Sequence, residues 1–174
     1  MKRSQVSRGE EQVLRLFRSK KRLSVAFAAV GVIATFVTVA LASAPSGFTP
    51  TTLVTSIFNE TVHLNSDKVK FQTKDPTDVR VQRIVIDAGG SSGWHHHPGI
   101  VIVAVASGAV IVTHSDCSSM TYGPGLPNGA VFTEGGDDPM QASSITGATN
   151  YVTFVAPHAD PPVFRIEDDP PPCA

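Results

Sequence analysis

Three consecutive histidines, His95, His96 and His97, are the residues best suited to bind a metal. They follow the Gly-rich turn 89–93 and precede the apolar run Ile100–Ala106. Because alternate side chains of a strand share a face, we expect His95 and His97 to point one way and His96 the other. Two neutral imidazoles on one face would supply ligands for Zn, Fe, Mn, Ni or Cu. The alternative is an exposed polar turn, since metal sites usually need three or four protein ligands.

The spacing around these histidines resembles the first motif of the cupins, G-x5-H-x-H-x3,4-E-x6-G. Gly89, His95, His97 and Gly108 stand at positions of this motif. The resemblance covers roughly Val69–Cys173 and is to small secreted or membrane-tethered actinobacterial cupin-domain proteins. It implies an antiparallel jelly-roll barrel in which two histidines, a glutamate and a third histidine hold one divalent metal. It also implies that the barrel belongs either to an enzyme, such as a dioxygenase, isomerase or decarboxylase, or to a binding protein without catalysis.

The sequence departs from the cupin pattern at two of the four ligands. Val101 stands where the first motif has its glutamate. In the second motif, P-x-G-x2-H-x3-N, two alignments place Met140 or Phe132 at the histidine. We therefore take Glu134, Asp138 and Met140 as candidate additional ligands, because carboxylates suit most divalent metals and a thioether suits copper.

A long apolar segment predicts a membrane helix. Leu23–Ala44 contains no charged residue, and as a helix it would rise about 33 Å, enough to cross a hydrocarbon core of about 30 Å. Eight Lys and Arg residues precede the segment, which predicts a basic cytoplasmic tail over 1–22 and an external domain. Ala42-Ser43-Ala44 is also a possible signal-peptidase site, so a secreted domain is the alternative. The length of the segment and Pro45 directly after that site favour a retained anchor.

The charge of the external part excludes nucleic acid as a partner. From Pro45 onward the chain has 6 Lys and Arg against 13 Asp and Glu, a net charge of −7. Such a surface repels a phosphate backbone.

Short apolar runs between Gly- and Pro-rich turns predict an all-β domain, a sandwich or barrel. The predicted strands are 69–71, 79–86, 100–106, 109–113, 130–133, 151–155 and 163–166. We expect the interior to be lined by Val101, Val103, Val110, Val112 and Phe132. With the resemblance, the expected organisation is a tail (1–22), a transmembrane anchor or uncleaved signal (23–44), a linker or stalk (45–66) and a cupin-like barrel (67–174). Ser46–Thr55 is alternatively the first strand.

Cys117 and Cys173 are the only cysteines. In an oxidising exterior they predict one disulfide, which would hold the Pro-rich C-terminal tail on the domain. The alternative is two free or metal-binding thiols.

Three functions remain open from the sequence. The first is a non-catalytic module that binds a small molecule, either with one divalent transition metal held through a partial two-histidine site or with no metal. The second is a metal-dependent oxygenase or isomerase, and the third is a structural envelope domain whose barrel is filled by its own side chains. The resemblance also implies a homodimer.

Overall fold

The computed structural model describes residues 44–172. Every regular element in this range is a β-strand. The strands are β1 (Ser46–Phe58), β2 (His63–Asn65), β3 (Lys70–Gln72), β4 (Thr77–Ser91), β5 (His95–His96), β6 (Ile100–Gly108), β7 (Val110–His114), β8 (Ser119–Tyr122), β9 (Val131–Gly135), β10 (Met140–Ser144), β11 (Ala148–Pro157) and β12 (Ile166–Glu167).

Ten of these strands form one antiparallel sheet that closes almost completely into a barrel, while β2 and β3 pair separately. The long strand β4 joins the two parts of the sheet. Along Thr77–Ile86 it pairs with β1 on one side and β11 on the other, and at Gly90–Ser91 it pairs with β10. On the far side of β11 lies β6, and β9 pairs with the other edge of β6. β10 also pairs with β5 and β7. The prediction of an all-β antiparallel barrel is confirmed.

Alternation of side chains along the strands builds the barrel interior. In β11, Ala148, Asn150, Val152, Phe154 and Ala156 are buried, and the residues between them are half-buried or exposed. All five residues expected to line the interior are buried, namely Val101, Val103, Val110, Val112 and Phe132. Removing these apolar side chains from water is the main stabilising contribution to the fold.

The segment 45–66 was expected to be a linker or stalk, with a first strand over Ser46–Thr55 as the alternative, and the structure has the strand: β1 pairs with β4 from Phe58 back to Ser46. The domain therefore begins well before residue 67. The strand is hard to recognise because almost all of its residues are exposed, so it has no apolar alternation. β10 was missed, since its inward residues Met140, Ala142 and Ser144 include only one large apolar side chain.

Some predictions fall outside the described residues. They concern the tail 1–22, the anchor 23–44 except for its last residue, and Cys173. Within 44–172 there is no helix of the length and apolar character that a membrane span requires.

Candidate metal site

The histidine motif sits at the short strand β5, and its side chains alternate as predicted. His95 and His97 are 4% and 3% exposed, and their ring centroids lie 4.8 Å apart. His96 points the other way, and its Nδ1 lies 2.8 Å from a carboxylate oxygen of Asp168. The strand thus directs two imidazoles into the barrel and one to its outside.

Backbone carbonyl groups fix the tautomers of the two buried histidines. His95 Nδ1 donates to the carbonyl oxygen of Gly93 at 3.0 Å, and His97 Nδ1 donates to that of Phe164. A carbonyl oxygen only accepts, so each Nδ1 carries a proton, and in a neutral ring Nε2 is then the nitrogen with the free lone pair. Burial, reinforced by the positive charge of Arg165, lowers the pKa of His95 to about 3. His95 is therefore neutral, the state in which imidazole binds a metal.

Glu134 on β9 completes the group. Its Oε2 lies 3.0 Å from His97 Nε2, and both side chains are almost fully buried. The contact has ion-pair distance, but the oxygen lies off the hydrogen-bonding direction of the ring, and His97 Nε2 has no hydrogen-bond partner. A cation bound between the carboxylate oxygen and the ring nitrogen would give both buried atoms a partner.

His95, His97 and Glu134 together have one ligand atom each within 4.8 Å of one another. The sheet register explains why the carboxylate comes from β9. Glu134 is the direct cross-strand partner of Val101, the residue that stands where the cupin motif has its glutamate. Directly opposed residues of antiparallel strands lie on the same face, so Glu134 approaches the position that Val101 leaves without a ligand.

A glycine next to Glu134 lets β9 end at this point. Gly135 has a φ of 136°, and a Cβ there would lie 2.1 Å from the carbonyl oxygen of Gly99. The backbone of β9 and the residue before β6 therefore approach more closely than any side chain allows.

The other candidate ligands lie in different surroundings. Asp138 is half exposed and accepts hydrogen bonds from His114 Nδ1 and Ser115 Oγ, both at 3.0 Å. It is not part of the three-residue group. Met140 is opposite His95 in the sheet and is buried in the core, and its role as a ligand stays a prediction.

Cys117 lies in the turn between β7 and β8 and has a φ of 71°. The described part of the chain contains no free cysteine. Because Cys173 falls outside it, the Cys117–Cys173 disulfide stays a prediction.

A cavity of about 170 Å³ adjoins the three-residue group inside the barrel. Its wall is mainly apolar, with a few polar side chains. The lining residues are Phe48, Pro50, Ile84, Ile86, Val103, Val110, Phe132, Ala142, Val152, Phe154 and Phe164, together with Arg80, Gln82, Ser92, His95, His97, Glu134, Asn150 and Arg165. The barrel is thus not filled by its own side chains.

The C-terminal segment 164–168 holds the histidine motif in place. Ile166 and Glu167 pair with the two residues of β5, and the amide of Asp168 donates to the carbonyl oxygen of Trp94 at 3.0 Å. Arg165 donates to the carbonyl oxygen of Ser92 at 2.6 Å. Sequence reasoning missed these contacts, because partners about seventy residues apart leave no local signal.

Comparison with known proteins gives only distant matches. No family model and no curated protein matches the chain. Among solved structures it is similar to a conserved protein of unknown function from Streptococcus pyogenes, at 17% identity and a TM-score of 0.41, over 60% of this chain and 77% of that one. It is also similar to a DMSP lyase, at 15% identity and a TM-score of 0.42, over 52% and 44% of the two chains.

A third similar structure is a salicylate 1,2-dioxygenase variant from Pseudoaminobacter salicylatoxidans in complex with gentisate. The identity is 17% and the TM-score 0.37, over 43% of this chain and 19% of that one. The chain thus spans less than half of the lyase and of the dioxygenase. At these scores the similarities carry no argument about function, which has to come from the site itself.

Proposed function

We propose that this chain is a cupin-like binding domain that holds one divalent transition metal through His95, His97 and Glu134 and a small molecule in the adjoining cavity. The observation that carries the proposal is the convergence of three buried ligand atoms, one of them an imidazole nitrogen with no hydrogen-bond partner. An unpaired buried polar atom costs about 1–3 kcal/mol, and a bound cation would remove that cost.

The chemistry of the donor set favours a transition metal or zinc over calcium or magnesium. Two neutral imidazoles and one carboxylate are borderline ligands, whereas Ca²⁺ and Mg²⁺ prefer oxygen ligands only. The carbonyl groups of Gly93 and Phe164 engage both Nδ1 atoms, which leaves Nε2 of each ring as the nitrogen that would bind the metal. Three protein ligands would leave coordination positions for a water or a bound molecule.

We further propose that the domain is displayed outside the cytoplasmic membrane by the anchor 23–44. The support is the uncharged segment and the eight basic residues before it. A protease added to intact cells should remove a C-terminal epitope tag while an N-terminal one stays protected. Release of the full-size domain into the medium would instead indicate secretion.

A metal-dependent oxygenase or isomerase is the second candidate function. It is favoured by the same donor set, since two histidines and one carboxylate with open positions are typical of non-haem Fe(II) oxygenases. Substrate-dependent oxygen uptake by the iron-loaded protein would support it. The third alternative, a structural envelope domain whose barrel is filled by its own side chains, is disfavoured because the barrel contains a cavity.

The test is metal content. The full-length chain, purified without a His tag, should hold close to one metal ion per chain by elemental analysis. The His95→Ala/His97→Ala variant should lose it, and Glu134→Gln should bind more weakly. His114→Ala is the matched control, because His114 contacts Asp138 outside the group. Failure of the wild type to bind added Fe, Mn, Zn, Cu or Ni would overturn the proposal.

A further inference from the structure

A second buried polar group faces the cavity without a partner. Asn150 on β11 is 3% exposed, lines the cavity, and has an Oδ1 with no hydrogen bond. Within the part of the chain that the structure describes, Asn150 Oδ1 and His97 Nε2 are the two buried side-chain atoms without a hydrogen-bond partner. His97 and Asn150 line the same cavity, so a molecule bound there could form hydrogen bonds with both atoms.

Asn150 is a polar residue at a position of the sheet that is surrounded by buried apolar side chains. Its cross-strand neighbours are Ile84 on β4 and Val105 on β6, both buried and apolar. The next inward residue of β11 is Val152. No described neighbour donates a hydrogen bond to the amide oxygen, and burying such an atom without a partner is unfavourable, so a bound ligand with a donor would stabilise it.

The size and walls of the cavity limit the ligand. An apolar cavity of about 150 Å³ holds one benzene molecule, so about 170 Å³ suits one six-membered ring with a small substituent. The aromatic walls formed by Phe132, Phe154 and Phe164 favour a planar ring.

We propose that the cavity binds a single-ring, mainly apolar molecule whose O–H or N–H group donates a hydrogen bond to Asn150. Asn150 is then the residue that sets specificity for a ring bearing a donor. The proposal rests on the proposed function only in placing the ligand in the cavity beside the metal, and it does not require the ligand to touch the metal.

Phenol and toluene are matched probes, because they have similar size and only phenol can donate. Their affinities are measured by titration of the full-length chain, with free probe determined separately. The variants are Asn150→Val, which replaces the amide by an apolar group, and Asn150→Ala, which removes it and leaves more room. We expect the ratio of phenol affinity to toluene affinity to fall about tenfold in both variants, the effect of one hydrogen bond to a buried group.

A ratio that is unchanged in both folded variants would overturn the proposal, as would failure of phenol to bind the wild type. The same titrations are repeated in chains that carry His95→Ala/His97→Ala, with Asn150 either kept or replaced. This comparison separates the ligand proposal from the metal site. An Asn150-dependent preference that persists without metal supports the ligand proposal even where metal binding fails. Stoichiometric metal with no Asn150-dependent preference supports the metal site and rejects the ligand proposal.

Discussion

Exchanging Val101 and Glu134 tests whether the carboxylate of the site is supplied across the sheet. The two residues are direct cross-strand partners on the inner face, so their Cβ atoms lie about 4.5–5.5 Å apart. The double variant Val101→Glu/Glu134→Val moves the carboxylate from β9 to β6. We expect it to bind metal at least tenfold more tightly than Glu134→Val alone. Glu134→Val alone should lower metal affinity by more than the 10- to 100-fold that is typical when a residue holding a metal ligand, rather than the ligand itself, is replaced.

The single variant Val101→Glu shows how much folding stability a second carboxylate in the barrel would cost. Val101 is 1% exposed, so its replacement removes an apolar burial worth about 1.5–3 kcal/mol. It also places a second carboxylate about 5 Å from Glu134, which costs about 3 kcal/mol at an effective dielectric constant of 20. The sum is about 5 kcal/mol, comparable to the lower end of total domain stability. The double variant avoids the repulsion and should cost only the repacking, about 1–3 kcal/mol.

The assays are urea unfolding of the metal-free full-length variants and competition for metal against a chelator. Glu134→Val binding metal as tightly as the wild type would show that Glu134 is not a ligand. A folded double variant that binds no better than Glu134→Val would show that positions 101 and 134 do not reach a common point.

Three further predictions concern stability in urea. Hydrogen bonds from a histidine and a backbone amide outweigh burial and lower the pKa of Asp78, so its carboxylate stabilises the fold above its ordinary pKa of 3.8. Asp78→Asn should therefore cost about 1–3 kcal/mol at pH 7, and the gap to wild type should close as the pH falls below that value. Asp168→Ala removes a partly exposed pair with His96 and should cost about 1 kcal/mol or less, detected by the fluorescence of the single tryptophan. Gly135→Ala, whose Cβ would lie 2.1 Å from a backbone oxygen, should cost at least about 2 kcal/mol more than Gly136→Ala, whose Cβ meets nothing within 4 Å.

Local patterns were enough to predict the strands that form the core. The apolar runs at 79–86, 100–106, 109–113 and 151–155 all lie in strands of the sheet, because a strand buried on its inner face must carry apolar side chains there. The two-residue period of a strand also predicted that His96 points to the face opposite to that of His95 and His97. The edge strand β1 could be read only as one of two alternatives for the same reason, since a strand whose residues are almost all exposed carries no such pattern.

By itself the sequence determined that a chain with seven short apolar runs folds as β-structure, and that His95 and His97 share a face, while the antiparallel barrel was what the cupin resemblance implied. Tertiary structure decided which third residue joins them. Glu134, Asp138 and Met140 were equal candidates in the sequence, and only the register of β9 against β6 places Glu134 opposite Val101 and beside His97. The cavity and the unpaired amide of Asn150 were likewise decided by tertiary structure. Register and enclosed volume arise from pairings between distant segments, and a local sequence pattern contains no record of them.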